Sequence, residues 1–330
     1  MSSTVSVAVH PSQYPASVER ELIQGLRQRR IAPKFHYQSY KQSQKWLVLH
    51  DAWSPSRTDS DCAAVYDRGF AAAAGLLAER QVRVIGLGCG GGQKEARLLA
   101  LLAEQERVLS YTPCDVSLAL ILTATEEARR AVEVVPSNPL LCDLAMADDL
   151  PAVLDGMEER RTARIITFFG MIPNFEPDNI MPRLAALVRP GDVLLVSANL
   201  APGPDYAAGV RRILPGYDNP ETRDWLLTFL FDLGIEPGDG TLQIHIEDAQ
   251  ALKRVAADFH FLRDRALTIY GEGIEFRAGE SLRLFFSYRY TPEKIERLLS
   301  SNGLKIESQW ITKSGEEGVF ACRAGTGKRG

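Results

Sequence analysis

Several things are scarce in this sequence, and each scarcity excludes something. No apolar run reaches the roughly 18 residues a membrane-spanning helix needs; stretches such as Val193-Leu194-Leu195-Val196 are strand-sized. No basic segment followed by an apolar one opens the chain, so a secretory leader is not expected and a cytoplasmic location is. Cysteines number five (Cys62, Cys89, Cys114, Cys142 and Cys322), far apart and without a Cys-x-x-Cys pair. An odd set of scattered thiols fits a reducing compartment and argues against a disulfide framework. Histidines also number five, none at metal-ligand spacing, so no metal site is expected. There is no run of five like charges, and the net charge is −4. A nucleic-acid surface gathers Lys and Arg on one face; here they are dispersed, and no nucleic-acid or membrane partner is expected. No internal repeat or low-complexity tract is present.

What remains is ordinary globular material: 45% hydrophobic and 24% charged residues. A chain of 330 residues has room for one large domain or two smaller ones. The first 60 or so residues read as polar and irregular, apart from a helical spacing over Ser17–Arg30 with Leu22, Ile23 and Leu26 on one face. From Ala63 an alternation sets in: a helix to Arg80, a strand Val82–Ile85, a helix Lys94–Glu104, a strand Val108–Cys114 and a helix Ala119–Val132. It continues through a short strand Glu133–Val135, a strand Ala163–Phe169, a helix Asp178–Val188 and a strand Asp192–Ala198. Such β-α-β-α order predicts an α/β fold, a mostly parallel sheet with helices on both faces. Beyond Asn199 the pattern changes to an apolar helix Asp224–Gly234, strands Asp258–Tyr270, Ile274–Ala278 and Ser281–Tyr290, a capped helix from Thr291, and strands Lys305–Ile311 and Gly318–Arg323.

Four motifs fall at the carboxyl ends of the predicted parallel strands, where open α/β sheets bind ligands. The first is Gly86-Leu87-Gly88-Cys89-Gly90-Gly91-Gly92, a strand end running into a helix. Glycines let the backbone turn and approach a ligand without a Cβ in the way, and the helix that follows offers free N–H groups. Gly86, Gly88 and Gly91 also fit G-x-G-x-x-G, so the turn alone serves a nicotinamide cofactor or S-adenosylmethionine. The second is Asp115 with Val116, placed to accept ribose hydroxyls or to cap a helix. The third is Cys142-Asp143-Leu144, whose carboxylate would sit beside an adenine amino group or cap the next helix. The fourth is Phe169-Gly170 through Asn174, whose amide carries both a donor and an acceptor, or serves a turn.

At these residues the chain resembles the histidine-specific N-alpha-methyltransferases of ergothioneine biosynthesis, a family that includes fungal amino-acid N-methyltransferases. The resemblance runs from about Val82 to Cys322. Gly88-Cys89-Gly90 with Lys94 resembles the family's Gly-Ser-Gly turn and lysine. Tyr111-Thr112-Pro113-Cys114-Asp115-Val116-Ser117 resembles its Tyr-x-Pro-x-Asp-Val-Ser. Phe169-Gly170 through Asn174 resembles its Phe-x-Gly-Ser-Thr-Ile-Gly-Asn, one residue shorter. Tyr217-Asp218, and Gly279-Glu280 through Ser287-Tyr288-Arg289-Tyr290, match later segments.

The resemblance implies a Rossmann-like class I methyltransferase sheet with a second, smaller α+β substrate-binding domain. It implies S-adenosylmethionine as cofactor, S-adenosylhomocysteine as product and a small amino-acid-like substrate. The domain division expected is 1–62 contributing to the substrate lobe, 63–200 binding cofactor, 201–290 the lobe, and 291–330 returning to the sheet, in a monomer. By the same resemblance Gly88, Lys94, Asp115, Cys142, Asp143 and Leu144 line the cofactor, and Gly86, Cys89, Gly90, Val116, Phe169 and Gly170, in the same motifs, are expected beside them. Asn174 and Tyr217 hold the substrate's carboxylate and amino group and orient the nitrogen, and Ser287 faces its side chain.

Three positions depart from the family: Gly86 stands where an acidic residue often precedes its glycine turn, and the other two lie on the substrate side. The family's histidine enzymes carry a glutamate two residues before the serine, to bond the imidazole; this chain has Phe285. Phe259 falls where another imidazole contact is expected. An imidazole N–H left without a partner costs roughly 1–3 kcal/mol, and two phenylalanines suit an apolar or aromatic side chain. The reading is therefore an amino-acid N-methyltransferase whose substrate is not histidine. Alternatives are a histidine enzyme with a repacked pocket, a nicotinamide oxidoreductase on the same turn, and a cofactor-binding protein without catalysis.

Overall fold

A computed structural model describes residues 4–133, 135–158 and 162–325. The strands in chain order are β1 (Ala8–Val9), β2 (Gln81–Leu87), β3 (Val108–Asp115), β4 (Leu140–Leu141), β5 (Ala163–Phe168), β6 (Val193–Asn199), β7 (Gly240–Ala249), β8 (Leu252–Phe261), β9 (Arg265–Ile269), β10 (Glu272–Phe276), β11 (Ser281–Arg289), β12 (Leu304–Ile311) and β13 (Glu317–Ala324). The main sheet has eight strands in the order β1-β4-β3-β2-β5-β6-β13-β12. It is parallel from β1 to β6, and only β13 runs against its neighbours β6 and β12.

Strands β2 to β6 read as unbroken apolar runs because both their faces are covered. One face packs Ile85, Leu87, Ile166, Phe168, Leu194 and Val196 into one core; the other packs Val82, Val84, Ile165, Val193 and Leu195 into a second. Strand order reverses between β2, whose other neighbour is β3, and β5. The switch point is the crevice where this architecture receives ligands.

A second, smaller body packs a three-stranded antiparallel sheet, β11-β8-β7, against a helix, Pro220–Asp232. Its core joins Trp225, Phe229, Phe259, Phe261, Phe276 and Phe285. Leu22, Leu26, Ile31 and Phe35 from the N-terminal segment enter that same core.

The elements differ from the sequence expectation in a few places. The opening segment is not irregular: helices Pro15–Arg27, Tyr40–Trp53 and Ser60–Gly75 fill it. Its polar composition hid a helix with a full capping box, Ser39 with Gln42. Strand β7 and the helix Tyr206–Ile213 were not expected. Strand β7 alternates Ile244 and Ile246 with His245 and Glu247, and its charged face is covered by arginines. The strand expected over Asp258–Tyr270 is two, parted at 262–264. Of the short strand expected at Glu133–Val135, Val134 lies outside the described residues; beside it the chain makes an isolated bridge, Ser137 to Tyr111.

Candidate active site

The glycine turn leaves β2 at Leu87, and its first amides are tied to the next strand: Gly88 and Cys89 N–H donate to Cys114 O at 2.8 and 3.1 Å. Gly88, Gly90 and Gly92 have φ of 64°, 52° and 75°, the left-handed region that favours glycine. Space is as restrictive as φ. A Cβ on Gly88 would lie 2.7 Å from the Met171 methyl, and one on Gly90 2.8 Å from the Trp46 ring. On Gly92 it would lie 2.5 Å from the Ala124 backbone. Met171 is flexible and Ala124 is backbone in a packed helix. We therefore expect Gly92→Ala to cost about 2–4 kcal/mol, from strain plus overlap, and Gly88→Ala less. Thermal unfolding of the two variants measures the difference, and equal losses would sink the geometric argument.

Asp115 ends β3 beneath this turn. It is not a helix cap: Ser117 is, accepting from Leu120 N at 3.3 Å. The Asp115 carboxylate accepts from Gly90 N at 3.1 Å and Ser117 N at 3.0 Å. Burial pushes its pKa up to about 6, against the pull of the Gly90, Ser117 and Val116 amides. Val116 is half-buried beside it.

Asp143 does not cap the next helix either, since that begins at Leu150. It accepts from Ala145 N at 2.9 Å and pairs at 2.9 Å with Lys34, whose ammonium is buried and shared with Glu21. Cys142 and Leu144, its neighbours, are buried. All five cysteines are free and buried.

Lys94, the second residue of the helix Gln93–Glu104, holds its ammonium 4.6 Å from the Tyr66 ring and 5.9 Å from the Phe169 ring. No carboxylate among the described residues pairs with it. Phe169 packs edge-on to Tyr66 at 5.2 Å. Gly170, with φ 68°, donates to Ser197 Oγ at 2.8 Å. The contact of Met171 with Gly88 puts the β5 loop and the glycine turn on two sides of one crevice. Asn174 closes a 3-10 turn, Ile172–Asn174, and its side chain makes no hydrogen bond with the described residues. Glu176, two residues on, is clamped to the lobe by Arg30 at 2.5 Å, Arg254 at 3.2 Å and Tyr288 at 2.6 Å.

Across the crevice, Tyr217 meets one face of β11. Phe285, Ser287 and Arg289 alternate along that face, and all three touch Tyr217. The Phe285 ring lies 6.0 Å from the Tyr217 ring, Ser287 Oγ bonds Tyr217 Oη at 3.0 Å, and Arg289 both stacks at 4.9 Å and donates to Oη. Asn199, at the end of β6, donates to the same oxygen at 3.5 Å. Phe259 shares this face of the lobe sheet, opposite Leu282, but packs inward on Phe261 at 5.1 Å and fills the space over Gly240. The position on β8 opposite Phe285 is Ala257.

Sequence reasoning missed the residues that join the two halves. Tyr37 is packed between Trp46 at 5.8 Å and Trp225 at 5.3 Å. Burial, with Asp115 and Tyr217 nearby, holds its hydroxyl far above the ordinary range. Ser43 Oγ bonds Ser117 Oγ at 2.8 Å, and Trp46 lies over Gly90. The signal available was the density of aromatics in Phe35-His36-Tyr37 and Trp46.

A parallel sheet ended by a reversed strand, with a glycine turn and a buried carboxylate at its switch point, is the architecture of a class I methyltransferase. The sequence pattern of the histidine-specific, S-adenosylmethionine-dependent methyltransferases matches residues 18–324, and the chain belongs to that family. A curated relative is the N-methyltransferase imqF of Aspergillus flavus, 22% identical over 246 residues; the match spans 72% of this chain and 66% of that protein, just under two thirds of its length. Among solved structures the chain is similar to the magnesium protoporphyrin IX methyltransferase of Synechocystis PCC 6803 with bound S-adenosylhomocysteine (TM-score 0.44, 14% identity, covering 86% of this chain and 95% of that one). It is also similar to the mitomycin 7-O-methyltransferase MmcR (TM-score 0.41, 13% identity, 95% and 69%). The cofactor of the family is S-adenosylmethionine. Among the described residues no cluster of His, Cys, Asp or Glu could hold a metal, and no helix is long and apolar enough to cross a membrane.

Proposed function

We propose that the chain is an S-adenosylmethionine-dependent N-methyltransferase acting on the α-amino group of an amino acid or amino-acid derivative other than histidine, one with an apolar or aromatic side chain. The observation that carries this is Phe285, buried beside Tyr217 and Ser287 with its ring also 6.1 Å from Trp225. That face offers an aromatic surface where an imidazole would need an acceptor.

The residues present fit the cofactor. Gly88 and Gly90 turn the backbone under the Met171 methyl and the Trp46 ring, which line the crevice there, Asp115 has the acceptors for two ribose hydroxyls, and Lys94 pairs with no carboxylate among the described residues. In this reading Phe169 and Gly170 form the opposite wall, and Cys89, Cys142, Asp143 and Leu144 the floor. When bound, S-adenosylmethionine supplies an electrophilic methyl: the amine lone pair forms the N–C bond as the S–C bond breaks, leaving S-adenosylhomocysteine.

The protein's part is to hold a neutral amine in line. Tyr217 Oη already accepts from Arg289 and Asn199, so both its lone pairs are engaged. Its proton then goes to Ser287 Oγ, and the Ser287 proton turns to the pocket. Accepting from the amine falls to Asn174 Oδ1, which has no other partner, with water taking the proton. Tyr217 thus positions rather than accepts, a change from the role expected from sequence.

Asp115 makes binding depend on pH. Both ribose hydroxyls make charge-assisted bonds only to the ionised carboxylate, since the protonated form turns one acceptor into a donor, so ligand affinity should rise with pH to about 6 and level off above it. The free protein runs the other way. Its Asp115 holds a proton between 3.8 and about 6 that the unfolded chain has lost, so this group's contribution to stability falls as pH rises through that window. Calorimetry with S-adenosylhomocysteine from pH 5 to 8 tests the first statement; a flat profile rejects it.

The proposal as a whole is tested by turnover. Purified protein with S-adenosylmethionine and a panel of histidine, tryptophan, tyrosine and phenylalanine should yield mass-shifted aromatic products. Histidine as best substrate would overturn the reading of Phe285.

A further inference from the structure

Arg289 is a buried cation with no anion among the described residues. It is 4% exposed, it forms no ion pair with any described residue, and its Nε has no hydrogen-bond partner. Its one side-chain bond is the Nη2 donation to Tyr217 Oη, and its guanidinium lies over the Tyr217 ring. Other buried arginines in this protein are neutralised: Arg83 by Glu158, and Arg164 by Asp192 and Asp155. A guanidinium presents five donors and cannot shed its proton. Taken out of water without a counter-ion it is costly, and such charges are otherwise paired. Arg289 sits on the Phe285–Ser287 face of β11 and touches Tyr217, inside the substrate side of the crevice.

We propose that Arg289 is the counter-ion for a carboxylate on the methyl acceptor, so the enzyme selects free acids over amides and decarboxylated amines. This rests on the reading of the site given above and adds the charge requirement. The crevice then has one unpaired cation for each amino-acid carboxylate: Lys94 at the glycine turn for the cofactor, Arg289 beside Tyr217 for the acceptor. A guanidinium fits a carboxylate with two parallel bonds. Nη2 spends one of its two N–H groups on Tyr217, so its second N–H and the unpartnered Nε–H form the side-on fork free to make them, as Arg283 does with Asp258.

The experiment uses the full chain as wild type, Arg289→Met and Arg289→Lys. The probes are tryptophan, tryptophanamide, tryptamine and indole-3-propionate, with the tyrosine series in parallel. In wild type, kcat/KM for the acid should exceed that for the amide or amine by about tenfold to a hundredfold, the weight of a charge-assisted bond. Arg289→Met should level the three, chiefly by raising KM for the acid, and Arg289→Lys should restore part of the preference. S-adenosylhomocysteine affinity should stay within about threefold in both variants, which also reports that each is folded.

Equal turnover of acid and amide by wild type, or an unchanged preference in Arg289→Met, overturns the inference and leaves N-methylation standing. A lost S-adenosylhomocysteine affinity in folded Arg289→Lys, with the acid preference intact, also overturns it, because the cation then serves the cofactor. If Arg289→Met does not fold, Arg289→Lys decides by the same ratio. If no amine is methylated but indole-3-propionate binds only with Arg289 present, the functional reading fails and the anion site remains.

Discussion

Asp115→Ala is expected to lower the affinity for S-adenosylhomocysteine about a hundredfold or more. Two ribose hydroxyls donating to one carboxylate make two charge-assisted bonds, each worth about 1.5–3 kcal/mol in a buried site. The alanine also strips the acceptor from Gly90 N and Ser117 N, which the carboxylate holds at 3.1 and 3.0 Å. The glycine turn then loses its tie to β3 at the point where it must meet the ligand. Asp115→Asn keeps one acceptor and should lose about tenfold. The order Asp, Asn, Ala separates ribose binding from a purely structural role. A structural aspartate would show its loss in unfolding temperature, with affinity in the folded protein changed by less than about threefold. Calorimetric titration of folded variants at pH 7.5 reads the two effects apart.

The strand ends that meet at the switch point were legible in the sequence because their patterns are local. Gly86–Gly92, Asp115 and Phe169–Gly170 each lie at the carboxyl end of a strand with a strong apolar run, and parallel strands bring those ends to one edge without further information. The lobe was harder. Strand β7 is half-buried, and Glu247, Arg254, Asp258 and Arg283 on one face of β7, β8 and β11 interrupt the apolar pattern with charges that pair only in three dimensions. Tyr37 and Trp46 were illegible as site residues for the same reason. They reach Asp115, Tyr217 and Gly90 across large sequence separations, and nothing in their local spacing marks that contact. Arg289 stands in a motif that was read, yet its lack of a counter-ion is a property of the fold. The Lys34–Asp143 pair shows the converse: the carboxylate was singled out, and its partner came from a segment read as irregular.

Phe285→Glu is the substitution that should move substrate choice furthest. In the family pattern a glutamate at this position bonds the imidazole, and here the ring of Phe285 lies against Tyr217 and Trp225 instead. The variant should gain histidine and lose aromatic substrates, each by about tenfold, because a buried polar edge is either satisfied or left unpaired. The ratio of kcat/KM values for histidine over tryptophan therefore shifts about a hundredfold. The change has a cost in the free protein. It removes an aromatic ring from a packed core and buries a carboxylate, for a loss of about 2–4 kcal/mol, visible as a lower unfolding temperature that bound histidine partly restores. The carboxylate's pKa will be raised by burial, so the histidine activity of the variant should grow with pH as the acid ionises. Phe259→Glu provides the control. That ring packs on Phe261 and Gly240, away from Tyr217, so its replacement should destabilise without moving the ratio. If the ratio moves with Phe259 and stays fixed with Phe285, the acceptor's side chain lies deeper in the lobe than the Tyr217 face.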